Sequence, residues 1–161
     1  VPQEPVLFSR TLRFNLDPAG ACTDDELWRA LERTHMRDLV QAAPGGLDMT
    51  VMEGGENFSI GQRQLLCLAR AVLKRTSVLV LDEATANIDM ETDALIQASL
   101  RRNFSATHTI ITIAHRLNTI VDYDRIVVMR AGQVVEFDSP AVLMANPDSL
   151  FSQMIRESGH K

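Results

Sequence analysis

Six residues, Val78 to Glu83 (Val-Leu-Val-Leu-Asp-Glu), constrain the fold more than any other stretch of the chain. Four apolar residues run without alternation into two adjacent acids. An unbroken Val/Leu run of this length predicts a strand buried on both faces, the pattern of a parallel sheet. Open α/β sheets bind their ligands beyond the carboxyl ends of the strands. Asp82 and Glu83 stand at that end. A cation, a water or an arginine is the natural partner for such a pair. The blander alternative is two solvated acids closing a strand, where an ordinary turn more often uses Gly, Asn or Ser.

The flanking sequence sets this strand in an α/β arrangement. The prolines of Val1–Phe8 (VPQEPVLF) forbid a regular helix and predict an extended loop leading into Ser9–Leu12. Asn15–Gly20 reads as a turn cluster. Thr23 and Glu26 form a capping box for a helix with the stripe Leu27, Trp28, Leu31, Met36 and Leu39, helical to Ala42 or Ala43. Pro44-Gly45-Gly46 stops it. After the acidic, glycine-rich Asp48–Asn57, Ser59 caps a helix running to about Lys74. Strand 78–81 follows, then a loop at 84–89 and a helix from Met90 or Glu91 through Leu100. His108–Ala114 reads as a second buried strand. Next come a short helical segment at 116–120, strands at 124–129 and 134–137 joined as an antiparallel hairpin, a short helix opened by Ser139-Pro140, and a terminal amphipathic helix over 150–157.

Composition narrows the class. At 161 residues the chain is long enough for one domain with a real core. Its 45% hydrophobic and 23% charged content are ordinary for a globular protein. A net charge of −5 argues against a nucleic-acid partner or a broad anionic-membrane surface. Cys22 and Cys67 fit no metal or redox spacing, so a reduced compartment is the default. No apolar run approaches the roughly 20 residues needed to span a bilayer. There is no secretory signal and no initiator Met, and the opening residues read as the middle of something longer.

Three features carry chemistry. Phe58–Gln64 (FSIGQRQ) puts the Ser59 hydroxyl and the unobstructed Gly61 backbone at a helix N-terminus, where free N–H groups and the dipole favour an anion. Read alone, it is as readily an N-cap and a turn. Asp82 suits Mg²⁺, which prefers a few carboxylates with waters and phosphate oxygens. Glu83 is then free to orient and deprotonate a water for in-line attack. His115, at the end of the neighbouring strand, faces the same rim and is placed to hydrogen-bond a terminal phosphate. His35, His108 and His160 have no such support.

Together these features resemble the later two-thirds of an ATP-binding cassette (ABC) nucleotide-binding domain, and the resemblance covers essentially the whole chain. VPQEPVLFS resembles the Q-loop with Gln3 as its glutamine, FSIGQRQ the signature motif, VLVLDE the Walker B strand, Thr85–Asp89 (TANID) the D-loop, and Ala114-His115-Arg116 the switch histidine. The finer strings PQEPVLFS, Asn15–Pro18 (NLDP), EGGENFS and IAHRLNTI are similar to the second nucleotide-binding domain of multidrug resistance-associated proteins, in subfamily C. The resemblance implies a P-loop NTPase (RecA-like) parallel-sheet core, incomplete here, with a helical subdomain on its N-terminal side and a C-terminal hairpin and helices. It divides the chain into a Q-loop (1–8), a helical subdomain (9–57) and the remainder (58–161).

The same resemblance implies roles. Gln3 links Mg²⁺ and the water to the membrane-domain interface. Ser59, Ile60, Gly61 and Gln62 bind the γ-phosphate of an ATP held by a second nucleotide-binding domain in a head-to-tail sandwich. Asp82 serves Mg²⁺, Glu83 activates the water, His115 senses the phosphate, and Asp89 works across the dimer. Transmembrane domains engage the helical subdomain through coupling helices, which places the chain at the cytoplasmic face of a membrane. The implied activity is ATP hydrolysis coupled to transport, in the direction of organic-anion or drug export. A regulatory nucleotide sensor of a subfamily C channel or receptor, and a soluble non-transport ABC ATPase, are the alternatives. Two departures stand out. Ile60 interrupts the usual Gly-Gly pair of the signature, and a β-branched residue resists positive φ. No G-x-x-x-x-G-K-[ST] string occurs within the 161 residues.

Overall fold

The computed structural model describes every residue except 3, 75, 83–87, 105–107, 115 and 159–161. The chain forms two compact units, Val1–Ile113 and Ala114–Lys161.

In the first unit, helix α1 (Leu12–Leu16) occupies part of what the sequence predicts as loop and turn. Thr11 supplies the reason: its hydroxyl accepts the Phe14 N–H at 3.2 Å and caps the helix. The single helix predicted from Thr23 to Ala42 is two, α2 (Asp24–Arg33) and α3 (Arg37–Ala42). The capping box at its start is present, with Thr23 and Glu26 bonded reciprocally. The break comes at His35, which adopts φ 57°. Its N–H reaches the Glu32 carbonyl at 3.2 Å, and the Met36 N–H reaches the Leu31 carbonyl at 2.8 Å. That pair of bonds is a Schellman stop with histidine in the usual glycine position.

Helix α4 (Ile60–Lys74), strand β1 (Val78–Asp82), helix α5 (Met90–Phe104) and strand β2 (Thr109–Ile113) follow. The strands pair in parallel, from Val78 opposite Thr109 to Asp82 opposite Ile113. The expectation of burial on both faces fails for β1. Leu79 and Leu81 lie in the core, whereas Val78 and Val80 are about half exposed, at 51% and 48%. Leu79 and Leu81 belong to one apolar cluster with Leu65, Leu66 and Leu68 of α4 and Ile96 and Leu100 of α5. Within the first unit, among its described residues, the opposite face carries Ile111 and Ile113 of β2, which are exposed as well. Asn103 of α5 donates to the Arg33 carbonyl at 3.1 Å, tying α5 to the end of α2.

In the second unit, β3 (Ile126–Arg130) and β4 (Gln133–Asp138) form the antiparallel hairpin the sequence predicts. Its two turn residues, Ala131 and Gly132, both have positive φ (50° and 77°), the geometry of a type I′ turn that matches strand twist. Ser139 caps α6 (Pro140–Ala145). Helix α7 (Leu150–Ser158) is capped from β4: the Glu136 carboxylate accepts the Leu150 and Phe151 N–H groups at 2.7 and 3.1 Å and the Ser149 hydroxyl at 3.1 Å. Ile120, Ile126, Val128, Leu143 and Phe151 make this unit's core. Among the described residues, no helix is long and apolar enough to cross a membrane.

Candidate functional site

Asp82 is the last residue of β1, and its backbone lies between two other segments. On one side it pairs with Ile113, two residues before His115. On the other its N–H donates to the Val1 carbonyl at 3.1 Å, two residues before Gln3. The Val1 amino group in turn donates to the Val80 carbonyl at 2.5 Å. The backbone therefore sets Val1 and Ile113 on either side of Asp82 at the carboxyl end of β1. Gln3, Glu83 and His115 themselves lie outside the described residues. The Asp82 side chain is exposed.

The Ser59–Gln62 turn is built by a reciprocal cap. The Ser59 hydroxyl accepts the Gln62 N–H at 3.1 Å, and the Gln62 Oε1 accepts the Ser59 N–H at 3.0 Å. Sequence reasoning found Ser59 as a cap and missed the return bond, although Ser-x-x-Gln is the capping-box pattern. Ile60 is the first helical residue and has no positive φ, so its β-branched side chain costs no backbone strain. Phe58, just before the turn, is buried at 4% exposure and anchors it.

Gly61 matters for space rather than for φ. A Cβ at this position would sit 2.3 Å from the Thr92 Cγ2. Thr92 lies in the first turn of α5, and its N–H donates to the Asp89 Oδ1 at 2.9 Å. That bond holds the Asp89 carboxyl below its ordinary pKa. Asp89 is thus an N-cap of α5, and the first turns of α4 and α5 meet through Gly61 and Thr92. Sequence analysis assigned Gly61 to an open backbone and missed Thr92 altogether.

A sequence profile of the ABC transporter family matches residues 1–86, more than half of the chain. The chain belongs to the ABC transporter family. It is 54% identical over 159 residues to ATP-binding cassette sub-family C member 4 of Mus musculus, covering 99% of this chain and 12% of that protein. It is 56% identical over 159 residues to sub-family C member 3 of Homo sapiens, covering 99% of this chain and 10% of that one. The solved structure of a bacterial Atm1-family ABC exporter with ATP bound superposes with a TM-score of 0.87 at 32% identity, covering 97% of this chain and 27% of that chain. The chain thus spans about a tenth of the length of these curated relatives. It is a stretch of an ABC transporter nucleotide-binding domain of the subfamily C type, with the mixed α/β fold of a RecA-like core.

The donor set at Asp82 agrees with ABC transporter chemistry. Among the described residues no three His, Cys, Asp or Glu side chains are grouped to cage a metal. The exposed Asp82 carboxylate suits Mg²⁺, which binds through one or two carboxylates and completes its shell with waters and phosphate oxygens.

Proposed function

We propose that this chain is the signature- and Walker B-bearing part of an ATP-hydrolysing domain that drives transport across a membrane. The observation that supports the reading is the placement of the Asp82 backbone between Val1 and Ile113 at the carboxyl end of β1; in the sequence Gln3 follows Val1 by two residues and His115 follows Ile113 by two. Bound there, Mg²⁺ would neutralise phosphate charge. The residues around it do the rest. Asp82 holds the ion, Gln3 completes its surroundings and reports to the membrane-domain interface, Glu83 orients the attacking water and takes its proton, and His115 hydrogen-bonds the terminal phosphate.

The Ser59–Gln62 turn serves a second ATP, held by a partner nucleotide-binding domain. The N–H groups of the first turn of α4 face the γ-phosphate, and Asp89, close by through Thr92 and Gly61, faces the partner. Residues 9–57 form the helical subdomain that receives the coupling helices of transmembrane domains, on the cytoplasmic side. Subfamily C similarity favours a second nucleotide-binding domain and export of organic anions or drugs. These 161 residues contain no lysine-bearing phosphate-loop string.

The test is hydrolysis by the full-length protein in lipid nanodiscs. Glu83→Gln should reduce turnover by about 10²–10⁴-fold while leaving ATP binding intact. The isolated 161 residues should show no Glu83-dependent turnover. Wild-type-like hydrolysis in the Glu83→Gln protein would remove the assignment.

A further inference from the structure

Helix α4 holds the segment around Gln3 from one of its faces. Gln64, Cys67 and Arg70 recur along α4 at three-residue spacing and lie on one side of it. The Gln64 amide donates to the Pro2 carbonyl at 3.2 Å. The Cys67 sulfur accepts from the Arg70 Nη1 at 3.9 Å. The Arg70 Nη1 donates to the Val6 carbonyl at 2.6 Å. The Arg70 guanidinium also donates through Nε to the Asn15 carbonyl, and through Nη2 to the Asn15 Oδ1 at 2.9 Å.

Asn15 is itself buried and fully used. Its Oδ1 accepts the Phe8 N–H at 2.8 Å, and its Nδ2 donates to the Phe8 and Thr11 carbonyls at 2.9 and 3.0 Å. With the Arg70 bond, both lone pairs and both N–H groups of the amide are satisfied. Only a planar guanidinium presents three nitrogens to acceptors on two chain segments at once. A lysine ammonium is a single point.

We propose that Arg70 is a positioning residue: with Gln64 it fastens both flanks of Gln3 to the helix whose first turn is Ser59–Gln62, so that loop and helix move as one body. Its functional sense rests on the reading above, in which Gln3 and the Ser59–Gln62 turn serve one nucleotide cycle. Displacement of the loop then shifts the signature turn without any contact between Gln3 and the phosphate it affects.

Hydrogen exchange on the full-length protein, with and without Mg-ATP, tests this. In Arg70→Lys, peptides covering residues 4–9 should exchange at least about tenfold faster, the scale of one charge-assisted bond, while peptides of α5 and of the second unit keep their wild-type rates. Asn15→Asp retains the Arg70 contact and loses the two donated bonds, so it should accelerate the same peptides on its own, and the double variant, which also loses the guanidinium contacts, should exceed either single variant. In the wild type, residues 4–9 and 59–66 should respond to Mg-ATP together, at the same nucleotide concentration. A uniform rise across all peptides of the first unit would reduce Arg70 to a general contributor to fold stability and overturn the proposal. So would an unchanged rate at 4–9, or a wild-type response of one segment without the other. Absence of ATP hydrolysis by the wild type would instead remove the functional reading, leaving the nucleotide-free comparison of Arg70→Lys to decide the anchoring.

Discussion

Gly61 and Thr92 occupy one space: a Cβ on the glycine would fall 2.3 Å from the threonine Cγ2 and 3.1 Å from its Cβ. The contact joins the first turns of α4 and α5, and Thr92 is too stiff at χ1 to swing aside. Gly61→Ala should therefore destabilise the fold by roughly 1–3 kcal/mol through overpacking, although alanine is the better helix former. Thr92→Ser removes the clashing methyl and should restore most of that loss in the double variant. Urea denaturation of the four proteins gives the coupling. Additive costs would mean that the two residues do not share this contact.

The Ser59–Gln62 cap separates stability from ligand contact. Ser59→Ala leaves the Gln62 N–H without its acceptor and should cost about 1 kcal/mol. Gln62→Glu keeps an acceptor for the Ser59 N–H and places an anion at the positive end of the α4 dipole, so it should hold or slightly raise stability. The same negative charge opposes an anionic ligand at this turn. Thermal melts set against ATPase rates should therefore rank the two variants in opposite orders if the turn meets phosphate.

His35 offers a stabilising substitution. A non-glycine residue at φ 57° carries a penalty of about 1–2 kcal/mol, and the His35 side chain is exposed. His35→Gly should recover about 1 kcal/mol, with some of the gain lost to the greater freedom of the unfolded chain. His35→Val should lose stability. Chemical denaturation midpoints at constant slope would measure both.

Glu136 links the second unit to pH. Burial raises the pKa of its carboxyl, but the Phe151 and Leu150 N–H groups and the Ser149 hydroxyl outweigh that, and the net shift is downward. The folded pKa then lies below the unfolded one. The stabilisation is present above the ordinary glutamate value of about 4.3 and is lost as pH falls through the lowered folded value. Glu136→Gln should weaken α7 at neutral pH and flatten the acid limb of the stability curve for residues 114–158. Exchange rates of α7 amides between neutral and acidic pH are the measurement, and an acid limb of unchanged steepness would contradict the assignment.

Local chemistry was legible wherever neighbouring residues wrote both halves of the signal. Thr23 with Glu26, Ser139 with Pro140, and the hairpin turn at Ala131-Gly132 all stand where the sequence puts them. The break at His35 was hidden because the residue in the left-handed position is not glycine. Helix α1 was hidden because only five residues follow its cap. Val78 and Val80 read as core because an apolar run does not say how many layers cover it. The Gly61–Thr92 and Arg70–Asn15 contacts join residues far apart in the chain, and no spacing rule encodes them. The motifs around the candidate site were legible as strings, whereas the place of Asp82 between Val1 and Ile113 is given only by the β1–β2 register and the Val1 backbone.

That register has a consequence for the order in which the chain assembles. Val78 to Asp82 pair in parallel with Thr109 to Ile113, and α5 lies between them in sequence. A parallel pair has no tight turn to start it, so the two strands meet only after the intervening segment has folded back across them. The contacts that α1, α2 and α4 make with one another need nothing beyond Lys74. During synthesis, the Arg70–Asn15 contact is therefore available before β2 has left the ribosome. The end of β1 where Asp82 stands becomes ordered late, and a ribosome paused after α5 would carry a chain with its signature turn formed and its sheet still open.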